Sequence, residues 1–170
     1  MIKMLLTIVF SILFLSGCTE EVTNQKHLMP AEMPEDFNFS VSFGYGEVKK
    51  NEINTYTHKV TKDLITKGTA AADVTFSKDE LQSIYAKMKE LNIMETKDFT
   101  GQEGCYNTPS NTDRWKVTVN GETKSFSWTD EHCTVSDEAK QLLELRTYLQ
   151  HLVEGKDAYK ALPAAEGGYD

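Results

Sequence analysis

Two adjacent residues, Asn120-Gly121, constrain the fold of this chain more than any other feature. A two-residue type I′ turn requires positive φ at both central positions, and Asn-Gly is the pair that adopts it most readily. Such a turn sets the register of its flanking strands: Val119 faces Glu122, Val117 faces Lys124, Trp115 faces Phe126 and Asp113 faces Trp128. One side of the ribbon then carries Trp115, Val117, Val119 and Phe126, and the other Lys116, Thr118, Thr123 and Ser125. A ribbon with one apolar side must pack that side against something else.

The partner strands are legible upstream. Phe37, Phe39, Val41, Phe43 and Tyr45 alternate with Asn38, Ser40, Ser42 and Gly44, the period of a strand with one buried face. After a turn region at 46–52, residues 54–64 place Tyr56, His58, Val60, Lys62 and Leu64 in one phase and read as a second strand. Gly68 permits another turn, and Ala70, Ala72, Val74 and Phe76 alternate as a short third strand.

Two helices follow from their caps. Ser77-Lys78-Asp79-Glu80 has the form of a capping box, and Leu81, Ile84, Tyr85, Met88 and Leu91 recur behind it at helical spacing. Ser136 with Asp137 and Glu138 starts the second, which carries Ala139, Leu142, Leu145, Leu149 and Leu152 inward and ends at Gly155. Strands joined by short turns pair antiparallel by default, and two helices with one apolar face each need the same side of a sheet. The expected fold is α+β, with two layers: a mainly antiparallel sheet of about five strands and two helices on one face.

A chain of 170 residues has room for one such domain. Its net charge of −8, with no basic stripe, argues against nucleic acid as a partner, because phosphate backbones are bound by clustered Lys and Arg. Metalloprotease, nucleophile-elbow, phosphate-loop and calcium-loop motifs are all missing from the sequence, and Gly44-Tyr45-Gly46 lacks the third glycine of a dinucleotide fingerprint. The sequence names no catalytic constellation, no metal set and no cofactor.

The N-terminus carries an address. Lys3 precedes an apolar run at 4–15, followed by Leu15-Ser16-Gly17-Cys18, the pattern of an export signal. Twelve residues rise only ~18 Å as a helix against a hydrocarbon core of ~30 Å, which disfavours a permanent span. Leu15-Ser16-Gly17-Cys18 resembles the lipobox of bacterial lipoproteins, and the chain is similar to the small lipoproteins of Gram-positive bacteria. The resemblance implies cleavage before Cys18, a diacylglyceryl group on its thiol, and anchorage on the extracytoplasmic face of the cell membrane. It transfers no active site. Two acyl chains suffice for stable anchoring. Without Lys3 the remainder holds 17 basic and 26 acidic residues, so lipid rather than charge would hold it to an anionic leaflet.

The organisation expected is a signal peptide at 1–17, Cys18 with a flexible tether to residue 36, a single α+β domain at 37–155 and a C-terminal tail at 156–170. A tether of that length reaches roughly 25 Å.

With Cys18 acylated, Cys105 and Cys133 remain, an even pair in an oxidising compartment. They flank the open end of the hairpin, which favours a disulfide between them. Free thiols and a metal site through Cys105, His132 and Cys133 are the competing readings, the latter short of a fourth ligand. Weak binding or catalytic candidates are the acidic-imidazole run Asp130-Glu131-His132 and His58, since a carboxylate beside an imidazole can orient a general base. The expectation is a membrane-anchored, non-enzymatic binding module whose partner is an envelope protein or a small ligand. The alternative is a small extracytoplasmic hydrolase or metal-dependent enzyme using His58 or His132.

Overall fold

A computed structural model describes residues 29–46, 50–95, 97, 99 and 104–169. The expected export signal and Cys18 lie outside the described residues. The elements run β1 (Asn38–Tyr45), β2 (Asn51–Asn54), β3 (Lys59–Asp63), β4 (Thr69–Asp73), α1 (Lys78–Glu90), β5 (Asn111–Val119), β6 (Glu122–Thr129), α2 (Asp137–Glu154) and a short α3 (Asp157–Lys160). One antiparallel sheet has the order β4-β3-β2-β1-β5-β6. The class is α+β, as expected, with six strands in place of about five.

The additional strand is β2, which overlaps the expected turn region at 46–52; of the expected strand at 54–64, residues 59–63 form β3 behind a turn at 55–58. Asn54 Oδ1 accepts the Thr57 N–H at 3.2 Å, and His58 closes the turn with φ of 53°. His58 is therefore an exposed turn residue and not a half-buried strand residue. Thr55 ties this turn to β1, accepting the Phe39 N–H on its hydroxyl at 2.8 Å while its own N–H donates to Phe39 O at 2.9 Å. Polar side chains do here what Gly or Pro does in more legible turns.

Elsewhere the local chemistry carries through. The β5–β6 register pairs Trp115 with Phe126 and Asp113 with Trp128, around Asn120 and Gly121 at φ of 51° and 76°. Ser77 and Glu80 form the reciprocal capping box of α1, and Ser136 Oγ accepts the Ala139 N–H at the start of α2. Phe39, Val41, Ile53, Trp115 and Val117 line the inner face of the sheet. Ile84 and Met88 of α1 and Leu142, Leu149 and Val153 of α2 join the same buried cluster. Burying each such side chain stabilises by roughly 1.5–3 kcal/mol. The other phase of the central strands, Ser40 and Ser42 on β1, Arg114 and Lys116 on β5, and Ser125 and Ser127 on β6, is half-buried or exposed.

Residues 29–36, assigned to the tether from sequence, pack onto the domain. Met29 belongs to the core cluster, and Tyr85 donates its hydroxyl to Pro30 O at 2.8 Å. Asp36 accepts the N–H groups of Asn120 at 3.0 Å and Gly121 at 2.5 Å. The chain thus reaches the sheet at the end that holds the β2–β3 and β5–β6 turns. The β1–β2 and β3–β4 connections lie at the other end, a strand length or roughly 23 Å away.

Candidate functional site

At that second end the inner strands open into a cleft of about 490 Å³. Its lining comes from the C-terminus of β1 (Phe43, Gly44, Tyr45), the start of β2 (Asn51), the end of β3 (Asp63, then Ile65), the start of β5 (Asn111), Asp130 after β6, the middle of α2 (Leu143, Arg146, Gln150) and the tail (Ala165, Tyr169). The volume falls within the ~300–1,000 Å³ of ordinary ligand sites.

Behind the cleft sits Asp113, with no exposed surface. Arg146 Nε donates to its Oδ2 at 3.1 Å, and the guanidinium lies 4.8 Å from the centre of the Phe43 ring. Asn111 takes the amide orientation that satisfies both its ends, donating to Gly44 O at 3.2 Å and accepting from Arg146 Nη2 at 3.3 Å. Burial lifts the Asp113 carboxyl to about 6, against the pull of Arg146 toward the charged form. Its cross-strand neighbour Trp128 adds a weaker pull, although the indole N–H closes no full hydrogen bond. The pair fixes the guanidinium at the cleft wall.

A second buried carboxylate, Asp63, holds the opposite wall. It accepts the Ile65 N–H at 2.8 Å, lies 3.8 Å from Lys50 Nζ, and receives the hydroxyl of Tyr169. Accepting that bond, the carboxylate pushes the Tyr169 phenol up to about 12. Tyr169 gets there because the tail runs beside the β3–β4 turn: Glu166 bridges Ile65 in parallel, its N–H donates to Leu64 O, and its carbonyl accepts the Thr66 N–H at 3.2 Å. Gly167, at φ of 98°, passes so near Thr66 that a Cβ would lie 2.8 Å from its methyl carbon.

The residues singled out from sequence fall in different places. Asp130 reaches the cleft and accepts the Asn111 N–H at 2.6 Å. Glu131 is exposed, its N–H donating to Thr129 Oγ1. His132 pairs with Tyr106 across an isolated bridge, their ring centroids 5.2 Å apart, and its Nδ1 is buried without a partner. Cys105 and Cys133 are in disulfide contact, with Cα atoms 5.4 Å apart. His58 lies in the β2–β3 turn, at the end of the sheet away from the cleft, so the two histidines do not share a site. Among the described residues no group of three or more His, Cys, Asp or Glu is placed to hold a metal. Cys18 lies outside the described residues.

Sequence reasoning missed Asp113, Arg146, Asp63 and Tyr169 as site residues. Two of them carried a signal. Asp113 stands in the apolar phase of Trp115, Val117 and Val119, and Arg146 in the inward stripe of Leu142, Leu145 and Leu149. A charge in an apolar phase is a buried charge and needs a partner of opposite sign. Chemically, the arrangement presents oriented donors and acceptors and keeps Asp113 out of a guest's reach. No protein-family model, curated protein or solved structure matches the chain.

Proposed function

We propose that the protein is a membrane-anchored extracytoplasmic lipoprotein that binds a ligand in the cleft at the far end of its sheet, acting without catalysis. The observation that carries the reading is the cleft itself. Internal strands, α2 and the tail converge there on buried charged groups, an arrangement that costs stability and is concentrated at binding sites. Its position supports the same reading. The chain meets the sheet at Asp36, at the end opposite the cleft, so attachment on the N-terminal side does not require the cleft to be covered. No described helix is long and apolar enough to cross a membrane. The hydrolase alternative gains nothing from His58 and His132, which stand at opposite ends of the sheet.

Two measurements on protein extracted from its own membranes test the proposal. Intact mass should show loss of residues 1–17 and a lipid on Cys18; a soluble product cleaved elsewhere overturns the anchor. Native mass spectrometry should find a small molecule retained by the wild type and lost from Gln150→Trp, which fills the cleft. Equal retention by both places the ligand elsewhere and overturns the site.

A further inference from the structure

The geometry points to a neutral oligosaccharide as the occupant of this cleft, an inference that rests on the binding function proposed above and names its ligand class. Three large hydrophobic residues are exposed among the described residues, and two of them, Tyr45 at 49% and Tyr169 at 38%, stand together at the cleft rim. Their ring centroids are 5.8 Å apart and the planes are inclined by 44°. Exposed aromatic faces are costly unless something apolar covers them, and a sugar ring offers a C–H face with hydroxyls around its edge.

The groups beside the tyrosines suit those hydroxyls. Arg146 spends Nε on Asp113 and one Nη2 hydrogen on Asn111, which leaves N–H groups of its five-donor fork at the cleft wall. Gln150 donates its amide hydrogen to Glu154 and retains its carbonyl oxygen as an acceptor. Asp130 accepts the Asn111 N–H on Oδ1 and retains Oδ2. Donors and acceptors thus stand beside the aromatic rim.

Charge and topology argue against other guests. Arg146 is paired with Asp113 and Lys50 lies near Asp63, so these charges compensate each other within the protein, and the carboxylate of Asp130 on the lining disfavours an anionic ligand. An extended peptide would add to a sheet edge, but the strands ending at this cleft, β1, β2, β3 and β5, are all internal.

The test is titration calorimetry of the mature lipidated protein in detergent with chitotriose and maltotriose, and with hexametaphosphate and spermine as charged probes. Saturable binding of at least one trisaccharide is expected. Tyr45→Ala and Tyr169→Ala should each weaken it by about tenfold, the scale of one aromatic contact. Tyr45 is half-exposed, so its removal leaves the fold intact, and the circular dichroism of both variants checks this. Binding of neither trisaccharide, tighter binding of a charged probe, or saccharide affinity untouched by both substitutions overturns the inference. If the trisaccharides fail while Gln150→Trp still expels a co-purifying molecule, the ligand class is wrong and the cleft function stands. If that variant expels nothing, the function itself is wrong.

Discussion

The strands β1 and β5 lie side by side and end in two different ways, each closed by an aspartate. At the turn end Asp36, half-exposed, accepts the two N–H groups of the Asn120-Gly121 turn. At the cleft end Asp113 is fully buried against Arg146. A carboxylate left in contact with water keeps its charge at little cost, and its hydrogen bonds add modestly to stability. A buried one depends on its partner for the charged form, and a fold that keeps such a pair tolerates a weak point there. The turn end therefore reads as structure and the cleft end as site.

The sharpest way to break that contrast is Arg146→Ala. It leaves the buried Asp113 carboxyl without its charge partner, and a loss of about 3–5 kcal/mol in unfolding free energy is expected from urea denaturation. The double substitution Asp113→Leu, Arg146→Met should recover most of it, because no buried charge remains to be satisfied. A loss under about 1 kcal/mol for Arg146→Ala alone would show that the pair does not hold this end together.

Acidity probes the same pair with the opposite sign to most carboxylates. Asp113 has its folded pKa raised from 3.8 to about 6, so the native state binds its proton more tightly than the unfolded chain does. The stabilisation this gives is fully present below about 4 and is lost as pH rises through about 6. Relative to Asp113→Asn, which cannot titrate, the wild type should lose on the order of 3 kcal/mol across that window. Equilibrium unfolding of both proteins at several pH values measures it, and parallel curves would show that burial does not hold the proton on Asp113.

The two ends also differ in how far they could be read from sequence. The turn end was legible because its information is local: Asn-Gly dictates φ at two positions, and the register from Val119 to Asp113 follows by counting. The α1 capping box and the alternation through β1 are local in the same way. The β2–β3 turn was not legible, because Asn54, Thr55 and His58 close it without Gly or Pro and the alternation of residues 54–64 runs straight through. The cleft is non-local. Asp113 and Arg146 are 33 residues apart and Asp63 and Tyr169 are 106 apart, and no spacing rule joins them. What the sequence did hold was Asp113 and Arg146 each standing in an apolar phase, which announces a buried partner without naming it. Of the sequence candidates, only Asp130 lines the cleft.

A smaller effect is expected where the tail meets the β3–β4 turn. Gly167→Ala adds a Cβ that would stand 2.8 Å from the Thr66 methyl carbon, at a φ of 98° that favours glycine. A loss somewhat above 1 kcal/mol is expected. Hydrogen exchange at Thr66, whose N–H is held by Glu166 O, should accelerate while exchange in β5 is unchanged. Acceleration in both would make the tail part of the global fold rather than a local wall of the cleft.

The smallest change is expected at the turn end. Asp36→Ala removes the acceptor for the N–H groups of Asn120 and Gly121, both at positions where water can replace it, so the cost should be about 1 kcal/mol. The substitution should also leave cleft binding unchanged, because a strand length separates the two ends. If Asp36→Ala instead weakened ligand binding, the ends of β1 and β5 would be coupled through the strands. The far placement of the cleft would then be more than a matter of presentation, since seating the chain at Met29 and Asp36 would itself tune the site.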